Sequence, residues 1–249
     1  MMVEQVSIFF HSYYGKNRDW LLYLNALRGQ TDRLYYNVVR SSYYQIGESG
    51  DGMGVKHTID YMPGTNLIWQ RSSTDQGKDI GGKLILIDVA LKTNDKADYW
   101  LFAHDKKSPH HEMGQEWAEN SRRLLQKEFI EQAKRVFRDD ASVSVVCQKE
   151  FIREETDDRY ITFFTHHHDQ DLRSHFSDLK VGMPYAAGTM FLAKAEGLRL
   201  FFQKNPALTI RGRLEKGDVM DNNMVTETHA WERGFSWILL CQGGNIKGV

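Results

Sequence analysis

The densest run of chemically capable side chains lies at 104–111: His104, Asp105, Lys106, Lys107, Ser108, Pro109, His110 and His111. It follows directly on the apolar stretch 97–103 (ADYWLFA), which reads as a strand. A strand end that releases two ammonium groups, a hydroxyl and exposed backbone amides suits a phosphate group. Asp105 could instead present oxygen to a divalent cation. The plain alternative is a solvated turn after a strand.

Other segments offer complementary chemistry. In 77–82 (GKDIGG), Gly77 and Gly81 permit close backbone approach. Asp79 there could accept from ribose or sugar hydroxyls, with Lys78 or Arg71 adding positive charge. Equally, Asp79 could cap a helix that begins near Ile80. In 186–193, the small residues Ala186, Ala187 and Gly188, with Thr189, leave room for a ring, while Met190 and Phe191 read as core. Late in the chain the acids Glu215, Asp218, Asp221, Glu227 and Glu232 gather. The run His166-His167-His168-Asp169-Gln170-Asp171 suggests a metallohydrolase, but Gln170 and Asp171 stand where a binuclear His-x-His-x-Asp-His pattern needs aspartate and histidine. The glycines of 47–54 (GESGDGMG) are not followed by a helix, so they do not make a dinucleotide fingerprint.

The elements that position these groups alternate in type. Periodicity predicts strands at 6–10, 33–39, 66–71, 97–103, 142–147, 161–165 and 188–193. Helices are expected at 19–27, 83–92, 117–137, 196–203 and 225–231, with 77–82 as a turn and 235–241 as a closing apolar stretch. Such alternation predicts an α/β chain: a mostly parallel, Rossmann-like sheet flanked by helices, one domain over 1–249. Ligands of such sheets bind outside the carboxyl ends of the strands.

Composition narrows the function. The 32 Lys and Arg nearly cancel the 33 Asp and Glu, so the chain lacks the basic excess of a nucleic-acid binder. That balance conceals a separation: Lys106 and Lys107 cluster at one predicted strand end, Glu215, Asp218 and Asp221 in one late stretch. Two cysteines without a CxxC pair predict reduced thiols rather than a zinc ribbon or disulfide scaffold. An acid near the start, where a secretory leader carries Lys or Arg, predicts a cytoplasmic chain. No apolar run approaches the roughly 20 residues that span a bilayer.

Four segments in order carry a family likeness. HDKKSPHHEMGQEW at 104–117 resembles the H-x-K-K-S-P-H-x-x-x-G-x-x-W motif of the rhamnan synthesis protein F family of glycosyltransferases. QGKDIGG at 76–82 is similar to that family's N-R-G-R-D-I-G-P, AAGTMFLAKAEGL at 186–198 to its F-x-A-G-T-M-F-W-A-R-x-E-A-L, and THAWERGF at 228–235 to its A-H-A-L-E-R-L-F-G. The resemblance covers most of the chain from about residue 66 and implies a GT-A-like nucleotide-sugar fold. It implies transfer of a sugar, rhamnose or another deoxyhexose, from a nucleoside-diphosphate donor to a saccharide or lipid-linked saccharide acceptor. A lipid-linked acceptor would bring the chain to the inner face of a membrane.

The resemblance also distributes roles. The donor would lie against Asp79, Lys78, His104, Asp105, Lys106, Lys107, Ser108 and His110, and the acceptor beside Gly188 and Thr189. Asp218 or Asp221 would take the acceptor proton. GT-A strands end in Asp-x-Asp, which binds a metal, whereas this chain reads His104-Asp105-Lys106. Two expectations follow: Mn2+ or Mg2+ on Asp105 and His229, or no metal, with Lys106 and Lys107 supplying its charge. A sugar-binding protein without turnover on the same fold is the alternative, and a hydrolase using His166 and His168 a further one. Sugar, base, linkage, stereochemical outcome and oligomeric state stay open.

Overall fold

The structure is a computed structural model. It describes residues 4–13, 20, 23, 24, 27, 33–39, 67–105, 122–217 and 225–249, with backbone only for 67–72. The segments 47–54, 106–121 and 218–224 lie outside the described residues.

Three strands open the chain: β1 (Val6–Ser12), β2 (Arg33–Val39) and β3 (Leu67–Ser73). Helix α1 (Lys78–Lys92) and β4 (Tyr99–His104) follow. Next come α2 (Lys127–Asp139), β5 (Val143–Cys147), the short β6 (Ile152–Glu154), α3 (Asp158–Thr165) and α4 (Gln170–His175). The chain continues through β7 (Pro184–Ala186), β8 (Phe191–Lys194), α5 (Ala195–Lys204), α6 (Ala207–Arg213), α7 (Glu227–Leu240) and β9 (Asn245–Gly248).

The main sheet has seven strands in the order β3-β2-β1-β4-β8-β5-β9, and β6 pairs β7 apart from it. All its pairings are parallel except those of β8, which runs against both β4 and β5. The α/β, mostly parallel sheet flanked by helices is therefore as expected. Every residue of β1, β4 and β5 is buried, as in a sheet covered on both faces. Phe9 stacks on Tyr35 at 4.9 Å, and Phe102 meets Phe191 at 5.2 Å and Phe235 of α7 at 5.6 Å. This aromatic layer fixes α7 to the sheet.

Several predicted elements need correction. Residues 161–165 are helical, because Asp157 accepts from the Arg159 amide at the start of α3 and Tyr160, Ile161 and Phe164 share its buried face. The predicted helix at 225–231 and the stretch 235–241 are one helix, α7. Gly234 lies within it, and a Cβ there would sit 2.7 Å from the Phe164 ring, so the glycine serves packing. The turn at 77–82 is the start of α1, and the strand at 188–193 begins only at Phe191, preceded by a 3-10 turn. A turn at 124–126 interrupts the long helix predicted over 117–137.

Cys147 and Cys241 are free, and burial pushes both thiols up to about 12, which makes them inert at neutral pH. Among the described residues, no helix is long and apolar enough to cross a membrane.

Candidate functional site

The chain passes from β1 outward through β2 to β3, then returns to place β4 on the other side of β1. The crevice outside the carboxyl ends of β1 and β4 is thus the topological switch point, where ligands of open α/β sheets bind. His11 and His104 are register partners there.

Asp105 joins the two strand ends. Its amide donates to the His11 carbonyl at 3.2 Å. Its carboxylate accepts from the Ser12 hydroxyl and from the Tyr13 amide, both at 2.6 Å. Only 1% of Asp105 is exposed. A second polar row runs across the sheet beside it: the Asn37 amide donates to His11 Nδ1 at 3.0 Å and to the Ser73 hydroxyl at 2.9 Å. Lys106, Lys107, Ser108 and His110, which continue from Asp105, lie outside the described residues.

A charged cluster stands next to this strand end. Helix α1 begins with Gly77 in the left-handed region at φ 71° and no side-chain cap, so Asp79 does not cap it. Asp79 lies in the first turn instead and accepts from the Lys83 ammonium, one turn on, at 3.1 Å. Lys83 also donates to the carbonyls of Gly188 at 3.3 Å and Thr189 at 2.8 Å. His104 Nε2–H donates to the same Gly188 carbonyl at 3.1 Å and lies 3.9 Å from Asp79. The Gly188 amide donates to Glu232 of α7 at 2.6 Å.

The Gly188–Thr189 turn, expected as part of a strand, has positive φ at both residues, 70° and 52°. For a β-branched residue such as Thr189 that conformation is a genuine outlier, and the contacts around it hold it there. Lys83 is fully buried. Burial lowers its pKa, while the charges of Asp79 and Glu232 pull the other way. Lysine is almost never fully buried unless paired, which is why composition did not single Lys83 out. Its place four residues after Asp79 was the available signal.

The acidic stretch divides. The Glu215 carboxylate accepts from the amides of Glu227 at 2.7 Å and Thr228 at 3.0 Å, and from the Thr228 hydroxyl at 2.7 Å. It therefore caps α7. Burial raises its pKa, but the Thr228 and Glu227 hydrogen bonds outweigh that and hold it below the ordinary value. The Glu215 carbonyl accepts from the Gly77 amide at 2.8 Å, so one residue ties the starts of α1 and α7 together. Asp218 and Asp221 lie outside the described residues. Glu232 forms an ion pair with its neighbour Arg233 at 3.9 Å besides accepting from the Gly188 amide, and Arg233 is also bonded to Glu155 and lies over the Tyr160 ring at 3.7 Å.

His229 shares a hydrogen bond with the α7 cap Thr226 at 2.6 Å. Among the described residues, no group of three or more His, Cys, Asp or Glu could hold a metal. Among the described residues, neither the pair Asp105 and His229 nor the histidine run gathers such a set.

The histidine run ends α3. His167 Nδ1 accepts from the Asp169 amide at 3.0 Å, and His168 accepts from Arg213 at 3.1 Å. Burial, then Arg213 and His168, lower the His167 pKa. Burial also lowers that of His175, whose Nε2–H donates to the Ile238 carbonyl at 3.0 Å. For both, the unfolded chain binds protons near pH 6.5 more readily than the folded one, so stability rises with pH through that window and falls below it. A urea series from pH 7.5 to 5.5 should show this loss, with a smaller slope in His175→Gln. An equal slope in the variant would contradict the assignment.

No protein-family model matches the chain. No curated protein matches it either. Among solved structures it is similar to 4-diphosphocytidyl-2C-methyl-D-erythritol synthase from Anaerococcus prevotii DSM 20548, with TM-score 0.41 and 9% identity over 99% of this chain and 86% of that one. A second 4-diphosphocytidyl-2C-methyl-D-erythritol synthase aligns with TM-score 0.35 and 8% identity over 96% of this chain and 99% of that one.

Proposed function

We propose that the chain is a glycosyltransferase that moves a sugar, a deoxyhexose such as rhamnose, from a nucleoside-diphosphate donor to a saccharide or lipid-linked saccharide acceptor. One observation supports this reading above the others. Four sequence segments that resemble glycosyltransferase motifs each send one residue to the same cluster: Asp79, His104, Gly188 and Glu232. They are far apart in the sequence, and their convergence beside a switch-point crevice is the arrangement a ligand site needs.

In this reading the donor diphosphate lies at the end of β4, where Lys106 and Lys107 follow Asp105. Their ammonium groups neutralise the charge that develops on the leaving diphosphate. Asp79 accepts from hydroxyls of the ribose or the sugar, and the acceptor approaches the Gly188–Thr189 turn. For transfer with inversion, Asp218 or Asp221 takes the proton of the acceptor hydroxyl as that oxygen bonds to the anomeric carbon and the diphosphate departs.

The test is release of nucleoside diphosphate from UDP-, GDP- and dTDP-sugars, paired with thermal shifts by the same nucleotides with and without manganese. The wild-type chain should be stabilised by at least one nucleotide and release its diphosphate. Lys106→Ala with Lys107→Ala should cut release by roughly 100-fold, and His167→Ala should not. Binding without turnover would favour the sugar-binding alternative. No shift with any nucleotide would overturn the donor site.

A further inference from the structure

We propose that Lys83, which none of the motif segments contains, is a positioning residue that sets the donor-side and acceptor-side parts of this site in one geometry; the inference rests on the glycosyltransferase reading. Its three hydrogen bonds go to two different places. One reaches the Asp79 carboxylate on its own helix at 3.1 Å, and two reach the carbonyls of Gly188 and Thr189, more than 100 residues away in sequence, at 3.3 and 2.8 Å. An ammonium has three protons to donate, and these contacts use all of them.

The surroundings distinguish this lysine from one on a solvated face. Its side chain has 0% exposure, whereas Asp79 keeps 15% and Glu232 keeps 26%. The cation thus lies beneath, and the carboxylates around it retain access to solvent. His104 from β4 and Glu232 from α7 hold the same Gly188 peptide group from its carbonyl and its amide. The turn so held contains Thr189 at φ 52°, a conformation that persists only where its neighbours enforce it. Two carbonyl dipoles aimed at one buried ammonium provide that enforcement. Without the ammonium, the turn has a lower-energy conformation to relax into, and the Asp79 carboxylate loses the Lys83 hydrogen bond.

The distinction from a merely structural lysine lies in what each loses. Lys83 reaches Asp79 and the turn, while the proposed diphosphate cradle lies at Lys106 and Lys107. In Lys83→Met, diphosphate binding should persist while sugar transfer fails, because in this proposal Asp79 serves the sugar hydroxyls rather than the ribose, and the sugar and acceptor are presented wrongly.

Two arms test this. In the first, wild type, Lys83→Met and Lys83→Arg are compared with UDP, GDP and dTDP for binding and with the matching nucleotide sugars for turnover. Lys83→Met should bind the nucleoside diphosphate within about threefold of wild type yet lose about 100-fold in kcat, and Lys83→Arg should recover part of the loss. Turnover in Lys83→Met within threefold of wild type would overturn the proposal, as would an equal loss of binding and turnover. The second arm needs no ligand. Amide hydrogen exchange at 186–190 should accelerate at least tenfold in Lys83→Met while exchange in α2 and β5 is unchanged. Unchanged exchange at 186–190 would overturn the positioning role even if no nucleotide sugar proves to be a donor. If the wild type binds and turns over none of them while exchange accelerates as stated, the glycosyltransferase reading fails and the clamp stands. Should Lys83→Met not fold, Asp79→Asn keeps the lysine and removes its charge partner, and the same exchange measurement applies.

Discussion

Replacing Gly82 by alanine destabilises the fold by about 2 kcal/mol, although alanine is the better helix former by up to about 1 kcal/mol. Gly82 lies inside α1 where the helix crosses β1. A Cβ there would stand 2.0 Å from His11 Nδ1 and 2.5 Å from its Cε1. The ring has little freedom to retreat. It is completely buried in the sheet, and its Nδ1 is held by Asn37, which in turn is held to Ser73. Moving the ring breaks that row, and moving the helix disturbs Asp79 and Lys83 on the same turns. Overpacking of this kind costs about 1–3 kcal/mol, and a broken buried hydrogen bond about another 1. Gly212 in α6 supplies the control, since a Cβ there would meet nothing within 4 Å. Gly212→Ala should be neutral or stabilising by about 0.5–1 kcal/mol. Urea midpoints at constant m-value measure both. Equal effects in the two variants would show that the close approach of α1 to His11 is not as described.

The largest loss is expected for Asp105→Ala, about 3 kcal/mol. Its carboxylate accepts from the Ser12 hydroxyl and the Tyr13 amide at 2.6 Å, and alanine leaves both donors without that acceptor at the buried ends of β1 and β4. Hydrogen bonds to a charged group contribute about 1.5–3 kcal/mol each, and their loss is not fully additive. Asp105→Asn keeps the shape and one acceptor oxygen but turns an NH2 toward a donor, so it should fall between alanine and wild type. In the glycosyltransferase reading, nucleotide binding should weaken along with stability, because the same link sets the mouth of the crevice. Thermal melts with EDTA and with manganese separate this role from metal ligation. An equal loss under both conditions is expected, and a loss confined to manganese would reassign Asp105 as a ligand.

Much of the frame was legible because buried parallel strands leave continuous apolar runs. The runs at 6–10, 33–39, 97–103 and 142–147 became β1, β2, β4 and β5 with small changes at their ends. One misreading, the turn expected at 77–82, arose where glycine was taken as punctuation. Gly81 and Gly82 lie inside α1 and Gly234 inside α7, each where a neighbour comes too close for a side chain. For Gly81 that neighbour is the Gln76 carbonyl, 1.9 Å from where a Cβ would be. One sequence cannot distinguish a glycine that ends a helix from one that lets a helix pack.

The candidate site was legible to the extent that its residues sit in motifs or at strand ends. Asp79, His104 and Gly188 were named from sequence, and the structure brings them together. Lys83 was not named, since a lysine inside an apolar helix is read as facing water. Glu215 was grouped with Asp218 and Asp221 by proximity, but its carboxylate is committed to the amides of Glu227 and Thr228. Charge clustering along the chain does not reveal which acid faces a backbone amide.

That same residue has a consequence for how the chain can vary. Glu215 holds the start of α7 at a separation of 12 residues, so the ends of the segment carrying Asp218 and Asp221 are fastened to each other by one side chain. The entropy of closing a loop grows only logarithmically, about 0.6 kcal/mol per doubling of length. With its ends fastened, added length in this segment carries only a small entropic cost. In the glycosyltransferase reading it is also the segment that meets the acceptor. Acceptor preference could then diversify by insertion and substitution between Gly217 and Val225, with the donor half of the molecule left as it is.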